Sequence, residues 1–168
     1  NTGFQMSSAT PFGSKTSTSF PGKSNPGGTI QRKKDLFEIW RSHKPPYIAT
    51  ISPSHPIDLS NKFEKASGIK GPKLFITFSP CPPGWSFDSS KSVEIAKLAV
   101  QTGLWPLKEA VDGIVEHTVV PKFKPVEEYL KIQNRYDHLF DPVKQIDVVN
   151  IIQKDIDDYW KRYSDNGQ

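Results

Sequence analysis

The strongest constraint on the fold is a strand that cannot continue. Leu74-Phe75-Ile76-Thr77-Phe78 is an apolar run of β-formers, and Pro80 cuts it off. The chain's single cysteine follows at once, framed by Pro80 before it and by Pro82, Pro83, Gly84 and Trp85 after it. Cys81 therefore stands where a strand gives way to a loop, the place at which α/β sheets commonly present ligands and cofactors. Prolines fix φ, so this turn has little freedom to lose and holds its thiol in one direction. That suits a ligating residue better than a packing filler, although free cysteine is also among the most buried residue types and a small apolar filler is the competing reading.

The rest of the chain supplies the sheet that such a strand needs. Residues 1–30 are rich in Ser, Thr, Gly and Pro without a sustained period of 2 or 3.6, and read as a long irregular segment. Leu36, Ile39 and Trp40 then fall at helical spacing within residues 33–43, and Lys44-Pro45-Pro46 ends that helix. Residues 47–51 read as a short strand and 57–66 as a second helix with Leu59 and Phe63 on one face. Helix, strand, helix, strand in such short steps implies parallel strands joined by crossover helices, hence an α/β layered sheet, mostly parallel, with flanking helices. Ser89 or Ser90 can cap a third helix that stops at Gly103. Asp112-Gly113 between residues 107–111 and 114–120 signals a β-hairpin, because that pair supplies positive φ. Two C-terminal helices follow, at 125–132 and 145–163, the second with Ile146, Val149, Ile152 and Ile156 on one stripe.

A chain of 168 residues is one domain's worth. One cysteine excludes an internal disulfide, no apolar run is long enough to span a membrane, and no signal peptide opens the chain. A cytoplasmic protein without membrane attachment is the expectation. Five of the 22 basic residues and none of the 18 acids fall in the first 34 residues, which leaves that arm at +5 and the remainder at −1. The arm lacks the interleaved aromatics or recognisable module of a nucleic-acid binder, so no nucleic-acid partner is expected. The four histidines have neither zinc spacing nor cysteine companions, and Gly-x-Gly-x-x-Gly, Walker and Gly-x-Ser-x-Gly signatures are absent.

Several strings nevertheless run in a recognisable order. Asn1-Thr2-Gly3-Phe4-Gln5, Ser8-Ala9-Thr10-Pro11, Pro46-Tyr47-Ile48-Ala49-Thr50, Gly71-Pro72-Lys73, Ser79-Pro80-Cys81-Pro82-Pro83-Gly84-Trp85, residues 98–107 and Lys124-Pro125-Val126-Glu127-Glu128-Tyr129-Leu130 are spaced along the chain. Together they resemble the thiamine-diphosphate-binding beta subunit of pyruvate:ferredoxin oxidoreductase, or pyruvate synthase, from residue 1 to about residue 140. The resemblance implies a partial thiamine-diphosphate-binding fold. Residues 1–120 would be the C-terminal part of that domain, with 1–32 an irregular arm near the cofactor, and 121–168 a helical extension.

It also implies an oxidoreductase that decarboxylates a 2-oxoacid on thiamine diphosphate with Mg²⁺, makes acyl-CoA from coenzyme A, and passes electrons through [4Fe-4S] clusters to ferredoxin. Alternatives are another 2-oxoacid of the same family, such as oxalate or an aryl glyoxylate, and a non-catalytic interaction module that keeps the fold. By resemblance, Asn1 closes the thiamine motif as a catalytic and cofactor-binding residue, with Thr2 beside it, and Cys81 supplies one ligand of the cluster nearest thiamine. The Gly-Asp-Gly of the motif and the other cluster cysteines are not in these 168 residues. The chain thus reads either as a C-terminal fragment of the subunit or as a polypeptide that works only when another supplies the missing upstream half; it is expected to be inactive alone, with alpha-, gamma- and delta-type subunits as partners.

Overall fold

The computed structural model describes residues 10–16, 20–23 and 25–165; Asn1 and Thr2 lie outside them. Within these residues the α/β class holds, with a four-stranded sheet in the order β2-β1-β3-β4 flanked by helices, consistent with a partial thiamine-diphosphate-type fold.

β1, Tyr47–Ile51, is buried along its whole length and forms the centre. It pairs in parallel with β2, Lys73–Thr77, after a crossover through helix α2, Pro56–Ser67. On its other side it pairs antiparallel with β3, Lys108–Val111, which continues through a hairpin into β4, Ile114–His117. Asp112 and Gly113 both take positive φ, 48° and 85°, the conformation a two-residue hairpin turn requires. Because the hairpin adds to the sheet itself, one of the three pairings is parallel and two are antiparallel. The alternation of β1 places Tyr47, Ala49 and Ile51 on the face covered by α2, and Ile48 on the face covered by helix α1, Leu36–Arg41.

α1 is shorter than residues 33–43. Asp35 caps it by accepting a hydrogen bond from the Glu38 N–H at 3.1 Å, and Lys44 in the left-handed region follows its end. Its inward residue is Phe37; Leu36, Ile39 and Trp40 do share a face, but that face is outward, at 44%, 45% and 47% exposure. In α2 the deeply buried positions are Lys62 and Ala66, while Phe63 lies half-exposed over Phe75 of the edge strand β2, ring centroids 4.2 Å apart.

The larger core lies beside the sheet. Helix α4, Ser92–Gln101, packs Ile95, Ala96 and Ala99 against α5, Val126–Lys131, a 3₁₀ segment Asn134–Leu139, and α6, Ile146–Asp165. A 3₁₀ turn, Ser89–Lys91, leads into α4, and its cap is Asp88, whose carboxylate accepts from the Ser90 N–H. Phe78 and Trp85 enter the same core from either side of Cys81.

Candidate active site

The end of β2 and the start of α4 hold the proline-framed turn between them. Pro82–Trp85 form a single helical turn, α3, with Cys81 as its N-terminal cap at φ −113° and ψ 98°. The Trp85 N–H donates to the Cys81 carbonyl at 2.9 Å, and Ser86 in the left-handed region ends the turn. The thiol itself makes no capping hydrogen bond and no disulfide, and the residue is half-buried against the main core. Among the described residues, no group of three or more His, Cys, Asp or Glu side chains could hold a metal.

Aromatic rings bracket the turn. Phe78 lies 5.7 Å from Trp85 and 5.1 Å from Trp105, and Trp85 lies 6.2 Å from Phe87. Onto this platform the 3₁₀ segment delivers Arg135. Its guanidinium carbon lies 3.9 Å from the centre of the Trp85 ring, and the residue is only 2% exposed. Arg135 Nε donates to Gln133 Oε1 at 2.9 Å and Nη2 to the Tyr129 hydroxyl at 3.0 Å, both neutral oxygens. Nη1 is buried with no hydrogen-bond partner, and so is Trp105 Nε1. Lys33 places its ammonium 5.5 Å from the centre of the Trp105 ring. Although the residue is exposed, desolvation and then the charge of Arg135 push its pKa down, against a smaller opposite effect of Asp35. Main-chain bonds tie the segment to the turn and the arm: Asn134 N–H donates to Ser86 O and Lys15 N–H to Arg135 O.

The composition of the basic arm is thus partly spent inside the molecule. Lys15 pairs with Asp137 at 2.6 Å and Arg32 with Asp155 on α6. Arg135 carried no sequence signal, since Asn134-Arg135-Tyr136 belongs to no periodic pattern and its burial follows from how the 3₁₀ segment meets α3.

A second polar cleft lies between α2 and the hairpin, lined by His55, Asp58, Lys62, Lys65, Glu109 and His117. Its charges already serve one another. Lys62 donates to Asp58 at 2.8 Å and to the Thr50 carbonyl at 2.9 Å; Lys65 pairs with Glu109, which also accepts from the Tyr47 hydroxyl at 2.6 Å. This is a structural network.

No family model matches the chain. Individual relatives do. The chain is 44% identical over 163 residues to pyruvate synthase subunit PorB of Thermotoga maritima, covering 96% of this chain and 50% of the relative. It is 48% identical over 143 residues to the PorB of Methanosarcina barkeri, covering 83% and 47%. Over most of its length the sequence is similar to these subunits. Ketoisovalerate oxidoreductase subunit VorB of Pyrococcus abyssi is also similar, 38% identical over 165 residues, 96% of this chain and 51% of the relative. The chain spans about half the length of the curated PorB and VorB relatives it matches. Among the described residues, no helix is long and apolar enough to cross a membrane.

Proposed function

We propose that this chain forms the C-terminal part of a PorB-type beta subunit of a 2-oxoacid:ferredoxin oxidoreductase, with pyruvate as the favoured substrate. The observation that carries the reading is the Cys81 turn: a half-buried thiol outside any disulfide or capping bond, held by an α3 helical turn on a packed aromatic floor. Cys81 would supply one thiolate to a [4Fe-4S] cluster, the remaining ligands coming from the rest of the polypeptide. Asn1 and Thr2 would contact thiamine diphosphate and the reacting centre, with Mg²⁺ and its carboxylate ligand provided upstream. Residues 1–120 would complete the cofactor domain and 121–168 extend it. When bound, thiamine diphosphate supplies the carbanion stabilisation for decarboxylation and the cluster carries single electrons. The chain's own part is to fix the sulfur. Coenzyme A, ferredoxin and the other oxidoreductase subunits are the partners this reading requires. The VorB relative keeps a branched 2-oxoacid as the second substrate class.

The test is Cys81→Ser in the assembled enzyme that contains this chain. Loss of one cluster's worth of iron and sulfide, with the subunits still associated, is the expected result; unchanged iron content and an unchanged cluster spectrum would remove Cys81 from the metal site. The 168-residue polypeptide by itself is expected to reduce no ferredoxin.

A further inference from the structure

The charge beside the Cys81 turn is uncompensated. A buried guanidinium is costly to hold unless it is paired, and Arg135 has only two neutral oxygens, two ring faces and one NH₂ group, Nη1, without an acceptor. Among the described residues no carboxylate pairs with it. A second cation, Lys33, stands on the neighbouring ring, Trp105, whose own Nε1 is a further buried donor without a partner. The nearest acid to Lys33 in sequence, Asp35, caps α1 and offsets only part of the ammonium's charge. Both rings touch Phe78, and Trp85 closes the helical turn that Cys81 opens. Positive charge and unused donors are therefore gathered on the floor of the very turn that presents the thiol.

We infer that Arg135, seconded by Lys33, is the built-in counter-charge for the anionic iron-sulfur centre that Cys81 ligates, and that it raises that centre's reduction potential. The inference rests on the cluster reading of Cys81 given above. Adding one electron to a thiolate-ligated cluster makes it more negative, so a fixed cation in a dry surrounding stabilises the reduced form more than the oxidised one. The electron comes from the 2-oxoacid oxidation and leaves to ferredoxin, so no further reagent enters. Arg135 acts here as a positioning residue: it binds no iron and moves no proton.

The measurement is a redox titration of the cluster signal by electron paramagnetic resonance, made on the assembled enzyme carrying Arg135→Gln, Arg135→Lys, Lys33→Gln or Cys81→Ser. Arg135→Gln is expected to keep its iron and to shift the one-electron reduction equilibrium about tenfold toward the oxidised form, which is about 59 mV. Arg135→Lys retains charge and is expected to recover most of that shift, which a merely structural role would not explain. Lys33→Gln removes charge without disturbing the buried fork and should shift the potential the same way by less. An iron-replete Arg135→Gln enzyme with the parent potential would overturn the inference, and so would an Arg135→Lys shift as large as that of Arg135→Gln. Should Arg135→Gln fail to assemble, a parent potential in Lys33→Gln overturns it. Cys81→Ser reports on the reading beneath: a cluster that persists there removes the ligand assignment, whereas a lost cluster together with an unmoved Arg135→Gln potential removes the counter-charge alone.

Discussion

Lys62 sits under the sheet at 1% exposure, and it survives there because Asp58, one helical turn back, and the Thr50 carbonyl on β1 take its protons. Desolvation pulls its pKa down and Asp58 opposes that pull. Lys62→Met leaves a carboxylate and a strand carbonyl without a partner, and breaking a buried pair in this way costs about 3–5 kcal/mol. Urea unfolding of the variant, alone and combined with Asp58→Leu, checks it: the single change is expected to lower the midpoint sharply and the double change to recover part of the loss. His117 carries a pH prediction. Burial first, and then the charges of Lys108 and Lys62, push it down to about 4. Its Nε2 meets the Tyr159 hydroxyl at 2.7 Å and its ring lies 3.7 Å from that of Tyr163. The folded state thus prefers the neutral ring. Its contribution is fully present above the ordinary histidine value of about 6.5 and is lost as pH falls from there toward 4. Melting temperatures measured across that window should fall less steeply in His117→Asn than in the parent, with His55 and His138, both also held down by burial, accounting for what slope remains.

Among the elements, α6 depends on one glycine. Gly103 follows α4 at φ +79°, and the Trp160 indole donates to its carbonyl at 3.0 Å. A Cβ there would meet Trp160 Nε1 at 2.6 Å. Gly103→Ala therefore combines a left-handed backbone, about 1–2 kcal/mol for a residue with a side chain, with a clash against the helix that must dock there. Denaturant unfolding followed by tryptophan emission should show a loss larger than the backbone cost alone. The same element shows why much of the fold could be read from the sequence. Gly103 as a helix stop, the apolar stripe of α6 and the Asp112-Gly113 turn are local signals, each decided within a few residues. The outward face of α1 could not be read in that way. Leu36, Ile39 and Trp40 have helical spacing, yet a six-residue helix has room for one buried side chain, and Lys108 from β3 already lies 4.2 Å from the ring of Phe37. The helical turn after Cys81 was hidden for a related reason, because two prolines suit the first positions of a helix as well as a loop. That Cys81 follows the end of the strand was legible; the burial of Arg135 against Trp85, 54 residues later in sequence and set by tertiary packing, was not.

At the scale of the molecule, α1 and β2 are among the places where the described residues leave apolar surface open. α1 shows Leu36, Ile39 and Trp40, and β2, with β1 on one side only, has Leu74, Phe75 and Ile76 half-buried at the edge of the sheet. An apolar edge strand and an apolar helix face favour association when nothing covers them. The 168-residue polypeptide is expected to self-associate. Replacing Ile39 and Trp40 together by Lys should reduce that association, seen by light scattering after size exclusion, while each change leaves stability within about 0.5 kcal/mol.

On the cluster proposal, the turn itself bears on electron transfer. A protein can tune a thiolate-bound centre by pointing main-chain amides at the sulfurs. Pro80, Pro82 and Pro83 have no amide hydrogen, and the amide of Trp85 is already given to the carbonyl of Cys81. On the cluster proposal, three residues around this sulfur offer it no main-chain donor, so more of the tuning falls to side chains, which can change one residue at a time without rebuilding the loop.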